Sequence, residues 1–206
     1  MKHLFILFLL SASNAAAQTA FNKYSWQIKL APLRLLDPVN HGLELSTEKN
    51  HKKQSTQLTA AYLFQGRIDG YDNLRGLRLG IEKKFFTNQT NRFRNYFSID
   101  MVLSQLRCDD VTYFNDTINN IRIEDPFQIE KKLAILQFKI GKQFLWNRFV
   151  IDISAGAGAK YIRTKHIDRT YPPNKSRGLD IILLSKNEVN RVTLNIPVTI
   201  RIGFIL

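Results

Sequence analysis

The chain ends with the stretch Arg191-Val-Thr-Leu-Asn-Ile-Pro-Val-Thr-Ile-Arg-Ile-Gly-Phe-Ile-Leu206, which alternates between apolar and polar side chains. Every even-numbered position from Val192 to Leu206 is apolar, whereas the odd positions from Arg191 to Gly203 hold Arg, Thr, Asn, Pro or Gly. Successive side chains of a β-strand point to opposite faces of the sheet. The alternation therefore predicts a long strand with one apolar and one polar face.

Further segments of the chain alternate in the same way, which brings the number of candidate strands to eight. The segment at 58–64 is the least regular, because Ala61 and Leu63 make its second face apolar as well. The candidate strands are Trp26–Pro32, Leu43–Glu48, Leu58–Phe64, Leu77–Phe85, Tyr96–Ser104, Ala134–Gly141, Phe149–Tyr161 and Arg191–Leu206. Segments of this length and pattern are typical of membrane-spanning β-strands.

The connections between these segments fall into a short and a long class. The short ones are Lys49–Gln54, Thr87–Arg94 and Leu145–Arg148, and the long ones are Gln65–Leu74, Gln105–Glu130 and Ile162–Asn190. The side with the long connections has one short link, the turn at residues 37–40. Tight turns at one rim and long loops at the other are typical of outer-membrane β-barrels, whose long loops lie outside the cell.

The N-terminus reads as an export signal. Lys2 and His3 precede the apolar run Leu4–Leu10, and Ala15–Ala17 supplies small residues at a cleavage site. We therefore expect a signal peptide over residues 1–17, followed by one domain over residues 18–206. The apolar run is too short to cross a bilayer as a helix, and no later stretch is long and apolar enough.

The two faces of the strands differ in side-chain size, and this difference predicts which face is concave. Side chains converge inside a small barrel, so small residues belong on its inner face. The small residues lie on the polar face: Gly80, Ser98, Gly141, Ser154, Gly156, Gly158 and Gly203. We therefore expect an all-β, eight-stranded antiparallel up-and-down transmembrane β-barrel, with the polar face inside and the apolar face in contact with lipid.

The inward face carries nearly balanced charges, which we expect to form a network in the lumen. The predicted inward cations are Lys29, Arg78, Lys84, Lys139, Lys160 and Arg201, and the predicted inward anions are Glu44, Glu48, Glu82, Asp100 and Asp152. Buried charges persist when they are paired and hydrogen-bonded, so a salt-bridged plug is the favoured interpretation. An ion path and a pair of catalytic carboxylates are alternative interpretations of the same residues.

Other function classes leave weaker signals in the sequence. The formal net charge is +13, but the cations are dispersed, and an exported chain meets anionic lipid and lipopolysaccharide rather than nucleic acid. Cys108 is the only cysteine, so we expect no intramolecular disulfide and a solvated loop position for this residue. His41, His51 and His166 lack the spacing of a metal site, and we predict no catalytic, cofactor-binding or metal-binding residue.

Three segments resemble a known group of proteins. Residues Gly76–Phe86, Asp152–Gly158 and Asn195–Phe204 look like the small eight-stranded outer-membrane barrels of Bacteroidota, many of which have unknown functions. The resemblance covers nearly the whole chain after the signal peptide and rests mainly on glycines and alternation. It implies an outer-membrane location and assembly by the outer-membrane insertion machinery, and it supplies no active site.

These observations favour a non-enzymatic outer-membrane barrel that acts through its outer loops in adhesion, surface binding or envelope integrity, with an unknown surface partner. One alternative is a soluble periplasmic barrel resembling a lipocalin, with its apolar face around a small ligand. Another is a lipid-modifying membrane enzyme, for which His166 and Ser154 are a poor match to the expected rim pair.

The outer loops carry opposite charges. Residues 107–125 are net negative and residues 162–190 are net positive. β-favouring residues around the turn-like stretch 115–120 predict that the hairpin between strands five and six continues above the membrane. The two loops could attract each other and form a platform through Tyr171–Pro173 and Ile181–Leu184, or both could be solvated.

Overall fold

The computed structural model describes residues 25–35, 41–64, 72–90, 92–116, 121–170 and 188–206, and it is all-β apart from one short 3₁₀ helix, Pro32–Leu35. The strands are β1 (Trp26–Leu30), β2 (Gly42–His51), β3 (Gln54–Phe64), β4 (Asp72–Gln89), β5 (Phe93–Asp116), β6 (Ile121–Trp146), β7 (Phe149–Ile167), β8 (Val189–Asn195) and β9 (Val198–Ile205). The predicted signal peptide lies outside the described residues. No helix in the described part of the chain is long and apolar enough to cross a membrane.

The strands form an antiparallel, up-and-down sheet that closes into a ring. Each strand from β1 to β7 pairs with the next, β7 pairs with β8 and β9, and β9 pairs with β1. β8 and β9 keep one register against β7, so together they form the eighth strand of the ring. The predicted all-β, eight-stranded antiparallel arrangement is confirmed.

Pro197 explains why the eighth strand is divided. Its carbonyl accepts a hydrogen bond of 3.0 Å from the backbone N–H of Gly156 on β7. A proline has no N–H to return the second bond of this pair, so the ladder is interrupted at Ile196 and Pro197. The alternation of the final segment is kept across the interruption because the register does not shift.

The prediction of a long connection between the fifth and sixth strands is largely wrong. The segment Gln105–Glu130 is almost entirely strand, because β5 and β6 stay paired up to Asp116 and Ile121. The expected continuation of this hairpin beyond the alternating segments is therefore confirmed. β7 likewise runs past its predicted end at Tyr161 to Ile167.

The two rims of the ring differ in their connections. At the first, which we call the turn rim, β2–β3, β4–β5 and β6–β7 are joined by short turns, with left-handed backbone at Lys52 and Asn147. At the opposite rim, the loop rim, the connections include residues 36–40, 65–71 and 171–187, which lie outside the described residues. The predicted contact segments Tyr171–Pro173 and Ile181–Leu184 fall in this part.

The polar face of the strands points into the ring and the apolar face points outward. On β7, Val150, Asp152 and Ser154 are buried, whereas Phe149, Ile151 and Ile153 are exposed. β2 shows the same strict alternation. The concave face is thus the one that carries the small and polar side chains.

The interior becomes apolar toward the loop rim. A cluster of buried apolar side chains fills the side of the ring formed by β3 to β6: Leu63, Leu74, Leu106, Cys108, Phe127 and Ile129. The expectation that Cys108 lies on a solvated loop is wrong, because the paired extension of β5 turns its side chain into this cluster. The apolar second face of β3, which made that segment irregular, is explained by the same cluster, since Leu63 is fully buried in it.

Candidate functional site

The interior near the turn rim is filled by a cluster of four charged side chains, which we call the lower cluster. The ammonium group of Lys29 lies 2.5 Å from Glu48 Oε2 and 2.7 Å from Asp152 Oδ2. The ammonium group of Lys84 lies 2.8 Å from Glu48 Oε2 and 2.5 Å from Asp152 Oδ2. Two cations and two anions therefore bridge four different strands, and all four side chains are essentially inaccessible to solvent.

Further side chains, which were not among the predicted inward charges, form hydrogen bonds with the lower cluster. Gln143 donates to Glu48 and Asp152 at 3.1–3.2 Å, and Gln57 accepts a bond of 3.0 Å from Lys84. The guanidinium group of Arg94 donates to Gln143 at 2.5 Å and to Asn50 at 3.1 Å. Arg94 was missed because the predicted connection Thr87–Arg94 includes it, whereas β5 begins at Phe93 and its pairing with β6 places Arg94 in the sheet.

A second group of charges, the middle cluster, lies on the loop-rim side of the first. Arg201 donates to Glu44 at 3.2 Å and to Glu82 at 3.3 Å. Lys139 lies 2.9 Å from both Glu82 and Asp100. Arg34 of the 3₁₀ helix adds a bond of 3.2 Å to Glu44. Each acid of this cluster is thus matched by at least one buried or half-buried cation.

The structure places all of the predicted inward charges inside the ring, but it does not bring them into one network. Nine of the eleven form the lower and middle clusters. Arg78 and Lys160 are also buried but lie further toward the loop rim, and no acidic side chain of the described residues forms a salt bridge with Lys160. Opposite charges in contact across the interior leave little space for a continuous water path.

A cavity of about 310 Å³ lies between the middle cluster and the loop rim. Its polar side includes Arg78, Lys160 and Arg201, and its apolar side includes Leu106, Leu133 and Ile162. Pockets that bind small molecules commonly combine an apolar lining with a few polar groups. This cavity is therefore the candidate binding site of the interior.

The residues considered for lipid chemistry do not form a catalytic pair. Ser154 and His166 lie on the same strand, β7, and the strand rise of about 3.3 Å per residue separates them by about 40 Å. The His166 ring packs on Phe127, and its Nδ1 lies 2.8 Å from the guanidinium group of Arg169. Among the described residues, no three His, Cys, Asp or Glu side chains are grouped so that they could hold a metal ion.

The outer face carries an apolar band with different borders at its two edges. Toward the turn rim the border is aromatic, with Trp26, Phe144, Trp146, Phe149 and Phe204 exposed. Two lysines lie over these rings, since Lys49 is 5.2 Å from the Trp26 ring and Lys142 is 5.3 Å from the Phe144 ring. Toward the loop rim the outward residues become charged: Arg75, Arg107, Glu130, Lys132, Arg163 and Lys165.

Glu130 is the acidic centre of this charged border. It accepts a bond of 2.7 Å from Gln105 and lies 3.2 Å from Arg107 and 3.3 Å from Lys132. Burial acts to raise the pKa of the Glu130 carboxyl, but these hydrogen bonds outweigh it and hold the pKa below its usual value. Most of the charged side chains in this border are cations, which suits a surface that meets anionic headgroups.

Comparison of the chain with protein-family models, curated proteins and solved structures finds no match. The functional assignment therefore rests on the geometry of the closed sheet, its two faces and its interior.

Proposed function

We propose that the chain is a non-enzymatic outer-membrane β-barrel whose lumen is closed by its own side chains and which acts through its extracellular loops. The observation that carries the membrane location is the apolar band on the convex face. Leucine, isoleucine and phenylalanine side chains stay exposed around the ring in a continuous belt, for example Leu79, Ile99 and Phe138. A soluble protein rarely exposes so large an apolar surface.

The borders of the band support the same proposal. Aromatic girdles flank the apolar belt of outer-membrane barrels, and the turn-rim border has this composition. Between Phe149 and Tyr161 every outward residue of β7 is apolar, which is enough strand to cross the hydrocarbon core of a bilayer. A lipocalin-like barrel would have the reverse arrangement, with its apolar residues around an internal ligand.

The interior supports a role without conduction. The lower and middle clusters occupy successive levels of the ring with charges of both signs in direct contact. An ion entering this region would have to displace salt bridges that are shielded from water. The proposed function therefore assigns binding to the loop rim rather than passage through the lumen.

The hairpin of β5 and β6 is the proposed contact surface for a partner. Its described tip region exposes Val111 and Tyr113, which project from a paired and therefore ordered scaffold. The segment after β7 meets its base, because the backbone N–H of Thr170 donates to Asp125 at 3.2 Å and Arg169 lies 4.7 Å from the Phe127 ring.

Fractionation of cells that express the full chain tests the proposal. We expect the protein to sediment with the outer membrane, to resist extraction by alkaline carbonate and to be released by detergent. Boiling should retard its migration in gels run with dodecyl sulfate, because closed barrels migrate faster before they unfold. Recovery in the aqueous periplasmic extract would overturn the membrane location.

A further inference from the structure

Within the described part of the chain, one strand edge of the ring has no neighbouring strand near the loop rim. β1 ends at Leu30, which is paired with Leu45 on one side and Ile202 on the other. The chain then turns into the 3₁₀ helix Pro32–Leu35 instead of continuing along the eighth strand. β8 pairs with β7 alone, so no strand of the described residues covers its second edge.

Two hydrogen bonds show to which side of the eighth strand the backbone N–H and C=O groups of each residue point. The N–H of Ile205 donates to Arg148 on the β7 side, and the N–H of Leu206 donates to Trp26 on the β1 side. Successive residues of a strand point their backbone N–H and C=O groups to opposite sides. The groups of the even-numbered residues of β8 therefore point toward the edge that no described strand covers. Their side chains, Val192 and Leu194, are 68% and 72% exposed, as expected for residues with no neighbouring strand on that side.

The cavity described above reaches this edge. It is lined by Ile196, Pro197 and Val198 of the eighth strand and by Arg34 of the 3₁₀ helix. The gap between β8 and the 3₁₀ helix therefore lies beside the cavity, within the loop-rim half of the apolar band. Unpaired backbone N–H and C=O groups of a strand edge are costly in hydrocarbon. An open edge at this level of the apolar band therefore calls for a physical explanation.

One cation that lines the cavity, Lys160, has no acidic partner among the described residues. Lys160 is 8% exposed, and no described carboxylate pairs with its ammonium group. The charged groups that act on it are the guanidinium groups of Arg78 and Arg191. The two acids that line the cavity, Glu44 and Asp100, are already bound to Arg201 and Lys139. The cavity thus holds a buried cation, Lys160, whose charge no described carboxylate balances, together with apolar lining residues.

We propose that this cavity binds an anionic single-chain amphiphile, a fatty acid, that enters from the outer leaflet through the gap between β8 and the 3₁₀ helix. The carboxylate pairs with Lys160, and the acyl chain lies along Leu106, Leu133 and Ile162. The volume of about 310 Å³ is at the lower end of the range of roughly 300–1,000 Å³ for small-molecule sites, so it fits one chain better than a two-chain lipid. This inference rests on the proposed membrane location.

Photolabelling of the full chain in lipid nanodiscs tests the proposal, with myristate that carries a diazirine at its chain end as the probe. We expect adducts on the inner wall, in peptides of β6 and β7 that contain Leu133 and Ile162. The matching probe with an alcohol head group should label the same peptides much less. Equal labelling by the two probes would overturn the role of the cation.

Two pairs of variants separate the cavity from the lipid-facing surface. Lys160→Met should reduce inner-wall labelling about tenfold, the expected effect of losing one charge-assisted hydrogen bond. Its control is Lys132→Met, which removes an outward cation and should leave the labelling unchanged. Leu133→Trp fills the cavity and should abolish labelling, whereas Leu136→Trp places the same side chain on the outer face.

The outcomes distinguish this proposal from the membrane location on which it rests. A native protein that is inserted in the nanodisc but has no inner-wall adduct overturns amphiphile binding alone. Full labelling of the folded Lys160→Met or Leu133→Trp variant would also overturn amphiphile binding alone. A protein that fails to insert at all overturns both proposals, and heat modifiability before illumination reports insertion independently of the probe.

Discussion

The phenol group of Tyr96 donates a hydrogen bond of 2.6 Å to Oδ1 of Asp152, an acid that binds two lysines through its other oxygen. The Tyr96 ring reaches Asp152 by lying directly against the backbone of Gly141 on β6. A Cβ atom at Gly141 would lie 2.4 Å from Cζ of Tyr96 and 2.8 Å from the carbonyl oxygen of Ile153. The geometry of the lower cluster therefore depends on Gly141, which leaves room for the Tyr96 ring.

Replacing Gly141 with Ala should destabilise the protein more than the same change at Gly80. The new methyl group at Gly141 must push Tyr96 away from Asp152 and also meets backbone, whereas at Gly80 the nearest atom is 3.4 Å away. We expect a loss of about 1–3 kcal/mol at Gly141, in the range of overpacked sites. Urea titration of unfolding in lipid vesicles measures it. Equal losses at the two glycines would contradict the role assigned to the Tyr96 contact.

Asp152→Asn should be among the most damaging single changes in the interior. It leaves Lys29 and Lys84 to share Glu48, and breaking a buried ion pair on one side costs about 3–5 kcal/mol. Arg107→Gln is the control, since Arg107 is 52% exposed in its pair with Glu130 and such pairs contribute roughly 0–1 kcal/mol. The same unfolding titration compares them, and similar losses would show that the lower cluster is not structurally important.

The directions in which the side chains of β7 and β9 point predict a difference among arginine substitutions. Ile153→Arg and Ile200→Arg put a charge on the outer face, where an arginine near the bilayer midplane costs about 2–4 kcal/mol. Thr199→Arg points inward instead, because Thr199 is buried between its outward neighbours. Refolding into vesicles should fail or weaken for the first two variants and be less affected for the third. Equal refolding of all three would show that the faces are reversed.

The pure protein should conduct ions poorly or not at all. The lower and middle clusters close the interior with buried salt bridges, and their charges are nearly balanced. Recording in planar bilayers is the measurement, and steady, large single-channel currents would contradict the plug.

Alternation allowed the strands and the inward charges to be predicted because each strand has one face inside the closed ring and one face outside it, which imposes a period of two. The period fails where those constraints end. Beyond Asp110 and Phe127, β5 and β6 pair only with each other among the described residues, so the sequence there resembles a loop although it is paired. The apolar interior near Leu106 was missed because the pattern is inverted there: the polar residues Gln105 and Arg107 are exposed, whereas Leu106 is buried.

The end of β1 at Leu30, which leaves β8 without a second described neighbour, could not be predicted from alternation either. The segment at 26–32 keeps its pattern to Pro32, while the strand ends at Leu30 because the chain turns into a 3₁₀ helix. Pro32 was a local signal, since a proline cannot donate to the ladder. The consequence, an edge of β8 with no neighbour among the described strands, depends on pairing between the two ends of the chain and is visible only in the closed ring.

Nitroxide scanning of β7 from Phe149 to Tyr161 in lipid nanodiscs tests the membrane-spanning barrel most directly. Each position is changed in turn to a spin-labelled cysteine in a Cys108→Ser background. We predict that the odd-numbered positions are accessible to oxygen and shielded from a water-soluble nickel chelate, most strongly near Ala155, while the even-numbered positions are shielded from both. Equal access of the nickel chelate to the odd-numbered positions along the whole strand would contradict the account.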